Sequence, residues 1–184
     1  MKFEICIKIS WRSTAPYSKP CSYNTGTRYS CNGNELAQSD YVGVYVFMER
    51  IEIGEDRVNI QELTIADNEP PNVTGGYLVK IDTVNDPRER LTRVRNASHQ
   101  SYALHQPNVD QITPQQRSYI RDYLQDFEVA LYGPSFTDPV LGYRRFIDVP
   151  SFVDAHLLYF LSLERDFLGS STFFHKDRNG LLKM

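Results

Sequence analysis

Residues 161–184 read LSLERDFLGSSTFFHKDRNGLLKM, and the fold turns on how this stretch is understood. A helical pattern runs in from upstream and breaks around Gly169. Two short apolar runs follow, 172–175 and 181–182, joined by Lys176-Asp177-Arg178-Asn179-Gly180. An Asn-Gly pair between apolar runs is the strongest short hairpin signal, because both central residues of the favoured turn need positive φ. The pattern therefore reads helix, loop, hairpin. One carboxylate, Asp166, sits where the helix ends and the hairpin begins.

Upstream, the helix feeding this segment starts at Ser151 as N-cap, with Asp154 three residues on and Phe152, His156, Leu157, Phe160 and Leu161 forming its apolar set. Before it, 134–142 is a loop. The clearest helix precedes that loop. Thr113 is its N-cap, Pro114 its first residue, and Gln116 completes a capping box. Tyr119, Ile120, Tyr123, Leu124, Phe127 and Leu131 recur at helical spacing, and Gly133-Pro134 ends the run.

Residues 83–110 are polar, with six charges from Asp86 to Arg95, four of them arginine. They read as an insertion or long surface loop with weak strand character around 101–105. Those arginines suit either phosphate or, more simply, a solvated face. Earlier still, Tyr77, Val79 and Ile81 alternate with Leu78, Lys80 and Asp82, the pattern of an edge or half-exposed strand released by Gly75-Gly76. Residues 66–76 are a polar loop, and 57–60 are a short strand or the lead-in to a brief helix. The run 41–53 is apolar, β-branched and aromatic, a largely buried strand with Glu49 inside it. Residues 3–9 alternate like one short strand. From Trp11 to Ser30 there is no Leu, Ile or Val, a composition of loop or disorder. The expected class is α+β: an antiparallel sheet over 41–82, two amphipathic helices and a terminal β-hairpin.

With 184 residues and 41% hydrophobic residues, the chain can build one domain with a sizeable core. A net charge of −3 gives no bulk attraction to nucleic acid or anionic membrane. No apolar run approaches the ~18 residues of a membrane span. Glu4 and Lys8 interrupt the apolar start, so no secretion signal is read there. Cys6, Cys21 and Cys31 follow no common metal spacing. One disulfide with a spare thiol and three free thiols suit them equally.

A helix, a loop carrying an acidic residue and a hairpin together resemble the catalytic segment of kinase folds, where the Asp orients or accepts the substrate hydroxyl proton. Five blocks extend the likeness: YVGVYVFMERI (41–51), GGYLVKID (75–82), ITPQQRSYIRDYLQDFEVALYGPSFTDP (112–139), YRRFIDVPSFVDAHLL (143–158) and STFFHKDRNGLLKM (171–184). In this order and spacing they resemble the CotH (spore coat protein H) kinase-like family over residues 32–184. The resemblance implies an atypical protein-kinase-like fold. It also implies ATP with Mg or Mn as cofactors, and a protein substrate such as a Ser-containing coat or surface protein. Its members occupy the spore coat or the cell surface, or are secreted.

Residue by residue, Asp166, Ser171, Thr172 and Lys176-Asp177 match the family's loop pattern, while Glu164 stands where the family has Asn. The family continues past this point with Gly-Pro-x-Trp-Asp-x-Asp, whose acidic residues hold the metal, and its N-terminal portion supplies a phosphate-binding lysine. Neither is found here. The expectation is therefore an incomplete kinase-like fold, an internal fragment inactive alone. Residues 1–31 form a poorly specified N-terminal segment and 32–184 a partial domain truncated at its C-terminus.

Asp166 is the catalytic candidate; its alternative is a solvent-facing residue at a helix end. Glu49 suits nucleotide contact or pairing with a basic neighbour. Lys80 suits phosphate contact or a solvent-facing strand position. No metal ligand is assigned. His156 reads as a satisfied core histidine, and His175 as structural. Asn72-Val73-Thr74 and Asn96-Ala97-Ser98 fit the glycosylation acceptor pattern, which matters only in a secreted eukaryotic parent. The competing function is a non-catalytic cell-surface or spore-coat binding module that keeps a kinase-like shell.

Overall fold

The computed structural model describes residues 6–11, 22–24, 28–31, 34–35, 41–47, 51–94, 100–163 and 169–184. The chain divides into two compact units, Met1–Arg50 and Ile51–Met184.

In the first unit, β1 (Cys6–Trp11), β2 (Ser22–Asn24), β3 (Arg28–Cys31), β4 (Asn34–Glu35) and β5 (Tyr41–Phe47) make two small sheets. β1 pairs antiparallel with β5, with Ile9 opposite Val44, and β2, β3 and β4 form a three-stranded meander. Two expectations are corrected here. Residues 22–24 and 28–31, expected as loop or disorder, form a strand pair. Tyr and Ser tolerate extended backbone, so pairing of backbone groups suffices without aliphatic side chains. The strand of 41–47 does not share a sheet with 77–82, because its pairing partner is the N-terminal β1.

The second unit holds the main sheet: β6 (Tyr77–Ile81), β7 (Arg90–Arg93), β8 (Ser101–Gln106), β9 (Thr172–Lys176) and β10 (Leu182–Lys183), in the order β10-β9-β6-β8-β7, all antiparallel. An antiparallel sheet with two helices is an α+β architecture, as expected. β6 is central rather than an edge strand: β9 pairs along one side and β8 along the other. The supposed insertion of 83–110 contributes two of the five strands. Tyr102 and Leu104 of β8 enter the core, whereas β7 is an edge strand that buries Leu91 and exposes Arg90 and Arg93. Charged side chains on an edge strand block further pairing, which explains the arginine content.

Helix α1 (Pro114–Tyr132) follows its sequence signals. Thr113 and Gln116 form the reciprocal capping box, Pro114 opens the helix and Gly133 closes it. Ile120, Leu124 and Phe127, three or four residues apart, lie on Tyr77, Val79, Ile81, Tyr102, Leu104 and Phe174 of the sheet. Gln116 is buried because its amide also donates to the carbonyls of Thr64 (2.7 Å) and Asp67 (3.2 Å), tying the helix start to the preceding loop. The Tyr77 hydroxyl donates to the carbonyls of Val73 and Gln116 from beneath. Opposite α1, Leu78 packs with Val58 and Ile60, and Ile51 and Ile53 join them. Residues 57–60 form no named strand; Val58 makes an isolated bridge to Ile53.

Helix α2 (Val149–Ser162) begins earlier than its sequence signals place it. Asp148 is the N-cap, accepting from the Ser151 amide, so Ser151 lies inside the first turn. Asp148 is also fixed from outside, since its amide donates to the Leu182 carbonyl of β10. Only the start of α2 reaches the sheet: Val149 and Phe152 join the core, with Phe152 5.9 Å from the Phe174 ring. Leu157, Phe160 and Leu161, expected on the inner face, are exposed, as is His156, expected in the core. The helix runs past the edge of the layer it packs on, so apolar spacing alone does not bury its last two turns. Those turns leave an apolar face exposed among the described residues.

The terminal hairpin is present, but its turn differs. Five residues, 177–181, separate β9 from β10, and only Asn179 has positive φ (53°). The Gly180 amide donates to the Asp177 carbonyl at 3.1 Å, placing Asn179 at the third position of the turn. The two-residue turn expected from Asn-Gly is replaced because Asp177 and Arg178 are held by other parts of the unit.

Candidate functional site

Strand β6 carries the site. Its odd residues, Tyr77, Val79 and Ile81, point to α1, so Leu78 and Lys80 face the other way. Lys80 lies opposite Phe173 of β9 and Ala103 of β8. Its side chain is only 14% exposed, which overturns the simple reading of a solvent-facing strand lysine. Lys80 Nζ lies 3.0 Å from Oε2 of Glu89, itself 22% exposed. That oxygen has no directed hydrogen bond, so the contact is ionic and leaves it with unused acceptor capacity.

Glu89 ends a 3-10 turn, Pro87–Glu89, capped by Asp86, whose side chain accepts from the Arg88 amide. Arg88 fastens the turn by pairing with Asp86 (2.7 Å) and Asp110 (2.6 Å). Hydrogen bonds from the Arg88 side chain and amide hold the Asp86 carboxyl below the usual carboxylate range. The charges that read as a solvated arginine run thus place one carboxylate against Lys80.

Asp82, next to the end of β6, is the second anchored acid. Its Oδ1 accepts from the Thr83 amide at 2.7 Å and from Ser170 Oγ at 2.9 Å. Burial works against its charged form. Hydrogen bonds from Ser170, Thr83 and the Ser171 amide, with the nearby Lys80 charge, outweigh it and hold the carboxyl below the usual range. Ser171 sits in the left-handed region (φ 52°), a conformation a serine keeps only when its surroundings hold it there. Glu89, Asp82 and Ser170 were not singled out from sequence. The usable signal was the two-residue spacing of Lys80 and Asp82, which puts both on one strand face.

Asp166 and Glu49 lie outside the described residues. The residues flanking Asp166 are described. On one side, Leu163 adopts left-handed φ (54°) and its amide closes α2 on the carbonyls of Phe160 and Tyr159. On the other, the Gly169 carbonyl accepts from Gln100 Nε2 at 2.7 Å. From there the chain enters β9, and Thr172 lies opposite Ile81.

Lys176, matched to the family from sequence, serves the core. It is 2% exposed. Its Nζ donates to the carbonyls of Thr74 and Gly180 and lies 4.7 Å from the centre of the Tyr123 ring. Burial lowers its pKa to about 8, with Asp177 opposing. His175, on the other face of β9, is likewise pushed down by burial and by Lys183.

The Lys176 shift sets a pH signature. Between pH 8 and its ordinary value of 10.5 the unfolded chain holds a proton that the folded chain has released. Stability therefore rises with pH in that window, by at most about 1.4 kcal/mol per pH unit. Tyr77 and Tyr123 act oppositely. Burial raises both, Tyr123 to about 12, so above pH 10 the unfolded chain loses protons that the folded chain keeps, and stability falls. Urea midpoints should thus climb from pH 8 to about 10 and then drop. In Lys176→Met the climb should vanish, with a loss of about 2 kcal/mol at pH 7 from the two abandoned carbonyls. An identical pH profile in the variant would refute the assignment.

Among the described residues, no three His, Cys, Asp or Glu side chains come together as a metal site requires. None of the described helices is long and apolar enough to cross a membrane. What the described residues bring together is a sheltered ammonium with one carboxylate, and an anchored Asp82 where the Asp166 segment rejoins the sheet. No curated protein and no solved structure matches the chain. A family model described as CotH kinase protein does match, over residues 24–184. That span includes both helices, every strand of the main sheet and the segment carrying Asp166, and on it the chain belongs to the CotH kinase protein family.

Proposed function

We propose that this chain is the kinase-like portion, over residues 32–184, of an ATP-dependent protein kinase that phosphorylates Ser residues of coat or surface proteins. The observation that carries the reading is the Lys80–Glu89 pair, held on the strand that receives the chain just after Asp166. A lysine kept in place by a carboxylate is how protein kinases present an ammonium to nucleotide phosphates.

In this reading Lys80 meets the phosphates and Glu89 keeps its side chain extended. Asp166 accepts or orients the proton of the substrate hydroxyl as its oxygen attacks the terminal phosphoryl group, whose bond to the bridging oxygen breaks to release ADP. Mg or Mn, which the family implies, neutralises charge on the phosphates when bound. The described residues do not compose a site for it.

A specific observation supports a second reading. Val153, Leu157, Phe160 and Leu161 of α2 are at least half exposed, as suits a binding module that keeps the kinase-like shell without its chemistry.

Titration with ATP in the presence of Mg or Mn separates the two. The kinase reading expects saturable binding, weakened about tenfold or more in Lys80→Met, a loss of about 1.4 kcal/mol. Absence of nucleotide binding by the folded wild-type chain would leave the binding module as the better account.

A further inference from the structure

We propose that Arg88 and Arg117 are positioning residues that tie the turn carrying Glu89 to the start of α1, and so set where Lys80 presents its ammonium. The proposal rests on reading Lys80 as the phosphate contact; the tie itself is independent of that reading. Glu89 Oε2 has no directed hydrogen bond, and its contact with Lys80 is ionic. Coulomb attraction depends on distance and not on direction, so the backbone that carries Glu89 decides where its carboxylate lies. That backbone is a 3-10 turn of three residues. The Glu89 amide closes it on the Asp86 carbonyl at 2.9 Å, and the Arg90 amide on the Pro87 carbonyl. Hydrogen-bond geometry in so short a 3-10 turn is poor, and the turn keeps its shape with help from outside.

The help comes from the residues on either side of Glu89. Before it, the Arg88 guanidinium spans two carboxylates: Nη2 meets Asp86 Oδ2 at 2.7 Å and Nη1 meets Asp110 Oδ1 at 2.6 Å. After it, the Arg90 carbonyl accepts from Arg117 Nη2 at 2.6 Å. Asp110 and Arg117 stand on one stretch of chain. Asp110 lies in the turn before α1, where its amide donates to Asn108 Oδ1 at 3.0 Å and the Gln111 and Ile112 amides donate to the Asn108 carbonyl. Arg117 lies in the first turn of α1, whose start Gln116 fastens to the carbonyls of Thr64 and Asp67. Glu89 is thus bracketed by two ties to a fixed support. A planar guanidinium fork holds both carboxylates in set directions, as a flexible ammonium would not. The Arg88 side chain is 62% exposed, so its ion pairs add little to global stability and their effect is local.

The test is acetylation of the 184-residue chain by an amine-reactive ester, read lysine by lysine by mass spectrometry, in wild type, Arg88→Ala, Arg117→Ala and Arg117→Lys. Lys176, 2% exposed, reports general opening, because it reacts only when the core opens. Lys80 is sheltered and paired, so it should react slowly in the wild type. Arg88→Ala and Arg117→Ala should each raise Lys80 labelling about threefold with Lys176 unchanged, since exposed ties carry modest energies. Arg117→Lys keeps a donor for the Arg90 carbonyl and should retain most of the protection, a rescue that generic destabilisation would not show. If Arg88→Ala does not fold, Asp110→Ala removes the outer tie alone and should raise Lys80 labelling about twofold. Unchanged Lys80 labelling in the folded variants, or Lys80 and Lys176 rising together, overturns the proposal. Titration with Mg-ATP separates the two claims. Arg88→Ala should hold ATP about threefold more weakly than wild type, and an equal Kd refutes the positioning of Lys80 toward phosphates. Selective Lys80 labelling in the variant, with no nucleotide binding by wild type, refutes the kinase reading and leaves the tie standing.

Discussion

Gly75→Ala is expected to cost about 4 kcal/mol and to leave little cooperatively folded second unit at 37 °C. The reason is space, not backbone freedom. Gly75 is extended (φ −163°, ψ −176°), a conformation any residue adopts. A Cβ there would sit 2.0 Å from both the Arg178 nitrogen and the Asp177 carbonyl carbon, and 2.3 Å from the Asp177 oxygen. All three are backbone atoms of the terminal turn, which is pinned from several sides. Gly76 N–H donates to the Lys176 carbonyl at 2.7 Å. The Gln61 amide donates to Asp177 Oδ1, and the Asn179 amide to Thr74 Oγ1. Arg178 pairs with Asp67 at 3.2 Å and donates to Asn72. Relieving the clash means breaking this set and loosening the carbonyls that hold Lys176. Gly180→Ala is the control, since its nearest contact would be 3.3 Å, and it should cost less than about 1 kcal/mol. Urea unfolding of both variants decides the matter; a Gly75→Ala protein within 1 kcal/mol of wild type would show that the turn yields easily.

In a transfer-competent protein carrying this segment, Asp166→Ala is expected to lower phosphoryl transfer about 1,000-fold, equivalent to about 4 kcal/mol, the middle of the range for removing a general base. ATP affinity should stay near the wild-type value, because this carboxylate acts on the substrate hydroxyl and not on the nucleotide. Lys80→Met should show the opposite pattern, with the main loss in ATP binding. Initial rates of transfer to a Ser-containing protein, with Mg or Mn and varied ATP, resolve the two into kcat and KM. Transfer that survives in Asp166→Ala removes this residue from the chemistry. A parallel loss of rate and binding would point instead to a general loss of folded protein, which urea unfolding of the variant detects separately.

Much of the second unit could be read from short stretches. The capping box at Thr113 and Gln116, the apolar stripe of α1, the alternation in 77–82 and the terminal hairpin depend on neighbours within a few residues. Propensity, capping and periodicity act over that range, and they appear in the structure where their signals stand. Membership in the CotH kinase protein family was similarly carried by the order of local blocks.

The departures arise where a residue's role depends on distant partners. Lys80 reads as a solvent-side lysine until β9, some ninety residues later, pairs beside it and Glu89 folds back over it. Residues 86–95 look like a charged loop because their arginines dominate the composition, yet Leu91, Tyr102 and Leu104 were enough to make two strands once β6 offered its open side. The α2 pattern is apolar along its whole length, but burial requires a layer to pack on, and that layer ends near Phe152. The Asn-Gly turn yields to Asp177 and Arg178, which satisfy donors and charges near 61–72. Local hydrogen bonding and side-chain periodicity are written into consecutive residues. Strand order, shared burial and the meeting of Lys80 with Glu89, or of Asp82 with Ser170, come from loop closures over long separations that no short window of sequence contains.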